Sequence, residues 1–165
     1  MKYKIGFIGC GNMASAMIGG IVKKQILPPE QIIASNRSAG KLQEAKNAYG
    51  IAVTSDNEEV AREAEMIVLA VKPIFYEDVI KDIAKDVKKS QIIITIAPGF
   101  DLERIGYLFG QDTKIVRTMP NTPAMVCEGM TAVSCNEYIS EEEMEEVCSI
   151  LDGFGKTERI PERLM

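Results

Sequence analysis

Short apolar runs alternate along this chain with longer stretches in which apolar residues recur every three or four positions. Tyr3 to Ile8 reads as a strand. Met13 to Lys24 reads as a helix, because Met13, Met17 and Ile21 share one face at i+4 spacing. Pro28-Pro29 breaks the chain. Gln31 to Ser35 is a second short strand, and Lys41 to Tyr49 a second helix that Gly50 stops with an expected left-handed C-cap. Ile51 to Thr54 is a third strand, and Ser55-Asp56-Asn57-Glu58 fits an S-x-x-E capping box ahead of Val60 and Ala64. Met66 to Val71 is apolar without alternation, as in a strand covered on both faces within a parallel sheet. After Lys72-Pro73, Ile74 to Val87 is predicted helical, with Val79, Ile80, Ile83 and Val87 on one side. Gln91 to Ala97 is another buried strand, ended by Pro98-Gly99. Leu102 to Phe109 is a short helix and Lys114 to Thr118 a sixth strand.

Beyond Met119 the texture changes. Pro120-Asn121-Thr122-Pro123 is a rigid turn, and Thr131 to Ser134 an added strand. Ser140 with Glu143 forms another capping box, opening a helix that carries Met144, Val147 and Leu151 inward. Thr157 to Ile160 is a last edge strand. Repeated alternation of strand and helix predicts an α/β chain, a doubly wound, mostly parallel sheet with right-handed crossovers. Ligands of such sheets bind at the carboxyl ends of the strands, where the strand order reverses. Functional residues should therefore lie just after strands.

Composition narrows the classes. The 165 residues suffice for one domain with a real core. Nineteen Lys+Arg against 24 Asp+Glu give a net charge of -5, which argues against binding nucleic acid by phosphate neutralisation. No basic block marks a membrane surface, and no run approaches the ~20 apolar residues of a spanning helix. Only five residues separate Lys4 from Cys10, too few for the roughly 7–15 apolar residues of an export signal. There is no histidine, which excludes a Ser-His-Asp or Cys-His pair and any zinc site that needs imidazole. Cys10, Cys127, Cys135 and Cys148 form no C-x-x-C pair, so no metal site is expected and the scattered thiols point to a reduced, cytoplasmic protein.

The first strand runs into Gly9-Cys10-Gly11-Asn12-Met13-Ala14, a G-x-G-x-x-A turn. Gly9 permits the tight turn, Gly11 lets a pyrophosphate approach the backbone, and Ala14 lets helix and strand pack closely. The start of the following helix, at Asn12 and Met13, offers unpaired N–H groups to the anion. A strand before this motif and a helix after it make a Rossmann-type dinucleotide site the expectation, with residues 1–165 as one NAD(P)-binding domain. After the second strand, Ser35-Asn36-Arg37-Ser38 lacks the acid with which NAD enzymes hold the ribose 2′-hydroxyl. Arg37 with neighbouring hydroxyls suits a 2′-phosphate instead, which favours NADP, with NAD still open. Arg37 as a plain solvated loop charge is the bland alternative.

Ala70-Val71-Lys72-Pro73 and Ile96-Ala97-Pro98-Gly99 follow the fourth and fifth strands, and their small residues would let a ribose and nicotinamide lie close. Lys72 is a candidate for catalysis, for cofactor contact, or for neither. Asn121, between two prolines, would suit as an amide partner for the nicotinamide. No tyrosine has a lysine four residues later, which removes the Tyr-x-x-x-Lys pair of short-chain dehydrogenases. Ketone reduction leaves an alkoxide that needs an acid. An imine can be protonated before hydride arrives, so a histidine-free chain suits C=N reduction better.

Three pieces together carry a family likeness: Ile5-Gly6-Phe7-Ile8-Gly9-Cys10-Gly11-Asn12-Met13, Ala70-Val71-Lys72-Pro73 and Arg117-Thr118-Met119-Pro120-Asn121-Thr122-Pro123. Gly129-Met130-Thr131 and Gly153-Phe154-Gly155 also fit. With them the chain resembles the N-terminal domain of the pyrroline-5-carboxylate reductases. The resemblance implies reduction of the imine 1-pyrroline-5-carboxylate to L-proline with NADPH or NADH, the last step of proline synthesis. By that likeness Ser35 and Asn57 contact the adenosine side, Ala70 to Pro73 and Ile96 to Pro98 the ribose and nicotinamide, and Asn121 lies near the ring. The family carries a second, helical domain that makes the homo-oligomer and most of the substrate site. That domain is absent from this chain, so the expectation is nucleotide binding with poor turnover, and no catalytic residue is assigned here. Rival readings are a β-hydroxyacid dehydrogenase or F420-dependent NADP reductase, and a non-catalytic nucleotide-sensing module.

Overall fold

The computed structural model describes residues 1–110 and 112–165. Among these residues eight strands form one sheet: β1 Tyr3–Ile8, β2 Ile32–Ser35, β3 Ala52–Thr54, β4 Ala64–Leu69, β5 Ile92–Thr95, β6 Lys114–Met119, β7 Gly129–Cys135 and β8 Gly155–Arg159. Their spatial order is β3-β2-β1-β4-β5-β6-β7-β8. The first six run parallel, β7 joins β6 antiparallel, and β8 lies parallel to β7. The chain leaves β1 toward β2 on one side and later returns to place β4 on the other. The order therefore reverses between β1 and β4, and ligands of such sheets bind there. The expected doubly wound sheet is what the chain forms.

Among the described residues six helices cover the sheet: α1 Asn12–Lys23, α2 Ala39–Tyr49, α3 Asn57–Glu63, α4 Tyr76–Ile83, α5 Leu102–Phe109 and α6 Glu141–Leu151. Side chains alternate along each strand between two apolar layers. Ile5, Phe7, Met66, Val68, Ile92, Ile94 and Val116 pack against α1, α2 and α6. Ile67, Leu69, Ile93 and Ile115 pack against α3, α4 and α5. This two-sided burial is why β4 and β5 read as unbroken apolar runs.

Most of the local signals match the structure. Gly50 ends α2 at φ 71°, and Ser140 and Glu143 form the complete reciprocal capping box of α6. Three of the departures concern α3, α4 and β4. The cap of α3 is Asp56, whose carboxylate accepts from the Glu58 amide at 2.8 Å, so the box expected from Ser55 is not formed. The segment expected to be helical from Ile74 to Val87 opens with a 3-10 turn at Pro73–Phe75, and α4 itself ends at Ile83. β4 also stops at Leu69 rather than Val71, because Ala70 and Val71 turn out of the ladder to face the glycine turn after β1.

Candidate nucleotide-binding site

The site begins where β1 hands over to α1. Gly9 sits at φ 100°, and a Cβ there would lie 2.8 Å from the carbonyl carbon and oxygen of Ala70. The first glycine is thus required twice, by its left-handed backbone and by the close approach of the β4 end. Its amide donates to the Ser35 carbonyl at 2.9 Å, and the Ala70 amide donates to the Ile8 carbonyl at 2.8 Å. These two bonds hold the ends of β2, β1 and β4 side by side.

Gly11 is the N-cap of α1, and no side chain caps the helix. A Cβ at Gly11 would meet nothing within 4 Å, so this glycine faces open space rather than protein. The first turn of α1 contains no acidic residue. Uncapped amides at Asn12, Met13 and Ala14, the positive end of the helix dipole and an open approach over Gly11 together fit an anionic pyrophosphate. Ala14 is buried beneath them, as close packing of helix on strand requires.

A groove of about 210 Å³ opens over this turn. It gathers Gly9, Gly11, Asn36, Arg37, Asn57, Ala70, Val71 and Lys72 of the expected residues. It also includes Cys10, Lys41, Phe75 and Val79, which the sequence pattern does not single out. Among its described lining residues there are three cations, Arg37, Lys41 and Lys72, and no carboxylate. Such a lining favours phosphate groups over neutral sugars. The Arg37 guanidinium lies 5.3 Å from the Phe75 ring centroid, which places the arginine across the groove from β2. Lys41 follows Arg37 by four residues in the first turn of α2, and that spacing is the one sequence signal available for it. Cys10 is unsuited as a nucleophile, because burial pushes its thiol above the ordinary value.

Ser35 does not line the groove; it works from behind. It is fully buried, and its hydroxyl donates to the Asn57 Oδ1 at 2.7 Å. Of the bonded pair, Asn57 is the one that reaches the groove.

Pro73, Ile96, Ala97 and Pro98 lie at the same carboxyl edge but outside this groove, as do Asn12, Met13 and Ala14. Asn121 lies in the loop between β6 and β7. Its carboxamide oxygen accepts from the Met130 amide at 2.9 Å, so half of the side chain serves to hold the loop to β7. Tyr76 is not among the expected residues at all. Its buried hydroxyl donates to the Leu69 carbonyl at 2.6 Å and accepts from the Ala97 and Ile96 amides at 3.2 and 3.3 Å. Burial pushes its pKa up to about 12 despite those two amides, so at neutral pH it is a fixed neutral phenol.

Comparison with known proteins agrees with this geometry. A family profile described as "NADP oxidoreductase coenzyme F420-dependent" matches residues 4–99, which include both glycines and the ends of β1, β2, β4 and β5. The chain belongs to this family. Within the F420-dependent NADP oxidoreductase family, it is 38% identical over all of its 165 residues to a pyrroline-5-carboxylate reductase of Escherichia coli strain K12, of which it covers 61%. It is also 38% identical over 161 residues to pyrroline-5-carboxylate reductase 3 of Danio rerio, covering 98% of this chain and 56% of that one. Among solved structures, a Plasmodium falciparum pyrroline carboxylate reductase with NADP bound superposes with a TM-score of 0.88 at 32% identity, covering 99% of this chain and 60% of the other. The chain thus spans about three fifths of the length of these relatives. Among the described residues no helix is long and apolar enough to cross a membrane, and no cluster of three metal-ligating side chains occurs.

Proposed function

We propose that residues 1–165 form the nucleotide-binding domain of a pyrroline-5-carboxylate reductase and hold NADP(H) in the groove over Gly9 and Gly11. The observation that carries this reading is the open approach at Gly11 above an uncapped, acid-free helix start, at the point where the sheet order reverses. When bound, the reduced cofactor supplies a hydride for the C=N bond of the imine, yielding proline.

The chain's own groups bind and orient. Gly11 and the first amides of α1 receive the pyrophosphate. Asn36 and Arg37 at the end of β2, with Asn57 held by Ser35, face the adenosine half, and the cationic lining favours a 2′-phosphate and hence NADP. Ala70 to Pro73 and Ile96 to Pro98 border the ribose and nicotinamide, with Asn121 farther along the same edge. An imine that arrives protonated needs no strong acid from the protein at the hydride step, which accords with a histidine-free chain. The groups that hold the substrate carboxylate belong, in this reading, to the helical domain that the family likeness implies, which also makes the homo-oligomer.

Calorimetric titration of this chain with NADPH and NADH tests the proposal. Native protein should prefer NADPH, and Arg37→Ala should reduce that preference by roughly tenfold or more, the worth of a lost charge-assisted hydrogen bond. Uptake of neither coenzyme would refute it. Full imine turnover by the chain alone would refute the placement of the substrate site elsewhere. Reduction of NADP by reduced coenzyme F420 without imine reduction by an intact homologue would favour the rival activity.

A further inference from the structure

We infer that Tyr76 is a positioning residue for the nicotinamide half of the cofactor, its hydroxyl clasping together the segments that leave β4 and β5. The inference rests on the nucleotide reading above and deepens it. The parallel ladder between β4 and β5 ends at Leu69 and Thr95. Beyond that rung the two chains diverge, Ala70 and Val71 into the groove and Ile96 and Ala97 along the next strand end. The Tyr76 hydroxyl takes over where the ladder stops. It donates to the Leu69 carbonyl at 2.6 Å and accepts from the amides of Ala97 at 3.2 Å and Ile96 at 3.3 Å. One donor and two acceptor positions are all that a phenol has, and all three are used.

The ring itself is fixed. Tyr76 is wholly buried at the first position of α4, and its centroid lies 4.8 Å from that of Phe100 in a tilted arrangement. The 3-10 turn of Pro73–Phe75 connects it directly to the Ala70-to-Lys72 segment that lines the groove. Removing the hydroxyl would leave one carbonyl and two amides without their partner where backbone pairing has ended. The two segments would then be free to separate. The adenosine side, built on β2, α2 and the start of α3, makes none of its hydrogen bonds through Tyr76.

The test separates the two halves of the ligand. Tyr76→Phe keeps the ring and its contact with Phe100. It should bind NADPH about tenfold more weakly than the native chain, the effect of roughly one uncompensated hydrogen bond. It should bind 2′,5′-ADP, which lacks the nicotinamide half, within about twofold of native; a general loss of structure would lower both. Unchanged NADPH affinity, or equal loss for both ligands, would overturn the inference. If the native chain takes up neither ligand, the nucleotide reading falls and this inference with it.

A measurement on the native chain decides the matter where Tyr76→Phe fails to fold. The amide resonances of Ile96 and Ala97 should shift on addition of NADPH and stay in place with 2′,5′-ADP. No shift with NADPH, or equal shifts with both, would overturn the positioning role.

Discussion

The hydroxyl of Ser35, fully buried at the end of β2, donates to the carboxamide oxygen of Asn57 at 2.7 Å. This bond ties the second strand to the first residue of α3 and fixes which end of the Asn57 amide is free. With the oxygen engaged, the Asn57 nitrogen is left to donate toward the groove that the residue lines. Ser35→Ala should therefore act at a distance. Stability should fall by about 1 kcal/mol for the lost buried bond, and NADPH affinity by roughly threefold to tenfold as Asn57 loses its orientation. Thermal melts and calorimetry on the same variant check both numbers. Unchanged affinity would show that Asn57 does not need the serine.

The two glycines of the turn should respond oppositely to the same change. Gly9→Ala places a methyl 2.8 Å from the Ala70 backbone at a residue whose φ is 100°. Neither can relax without moving the β4 end, so a loss on the order of 1–3 kcal/mol in stability is expected. Gly11→Ala adds a methyl into open space. Stability should change by no more than about 0.5 kcal/mol, while NADPH affinity falls at least about tenfold because the methyl occupies the pyrophosphate's approach. Denaturant melts with parallel titrations separate the two outcomes. A Gly11→Ala chain that binds normally would remove the pyrophosphate from this turn.

What could be seen in the sequence was what depends on near neighbours. The left-handed turn at Gly9, the Gly50 C-cap and the Ser140–Glu143 box are decided within a few residues, and each was legible. The buried strands were legible because burial on both faces leaves an uninterrupted apolar run. Their ends were less so, since Ala70 and Val71 are as apolar as the strand they leave. Tyr76 was invisible because its partners lie 7, 20 and 21 residues away and are backbone atoms, which leave no mark in side-chain pattern. Asn121 makes a bond of the same hidden kind: its carboxamide oxygen accepts from a backbone amide, that of Met130, nine residues on.

The cap of α3 shows the limit of a motif and gives a direct check. Ser55 and Asp56 are both good N-cap types, and the sequence offers S-x-x-E in the first register. The backbone chooses Asp56, which accepts from the Glu58 amide and also faces Arg62 at 3.4 Å. Asp56→Ala should cost about 1 kcal/mol, nearly all from the cap, since an exposed ion pair contributes little. Ser55→Ala should lie within about 0.5 kcal/mol of native. Urea denaturation of the two variants would reverse this ranking if the serine were the true cap.

Alkaline pH gives Tyr76 a signature of its own. Its folded pKa is raised from 10.0 to about 12, first by burial, with the Ile96 and Ala97 amides acting in the opposite sense. A raised pKa means that the neutral phenol's contribution is complete below the unfolded value near 10.0 and is lost as pH rises toward and through 12. A rise of that size is worth about 3 kcal/mol of stability in full, of which roughly 2 kcal/mol is lost by pH 12. Lysines titrate there too, but they do so equally in native protein and in Tyr76→Phe. The stability of native protein relative to Tyr76→Phe in urea should therefore stay constant up to pH 10 and fall by about 2 kcal/mol by pH 12. Near-ultraviolet difference spectra of the folded pair should show the Tyr76 phenolate forming near pH 12 rather than near pH 10. A difference that stayed flat to pH 12 would mean that the hydroxyl is open to solvent, and the clasp between β4 and β5 would not exist as described.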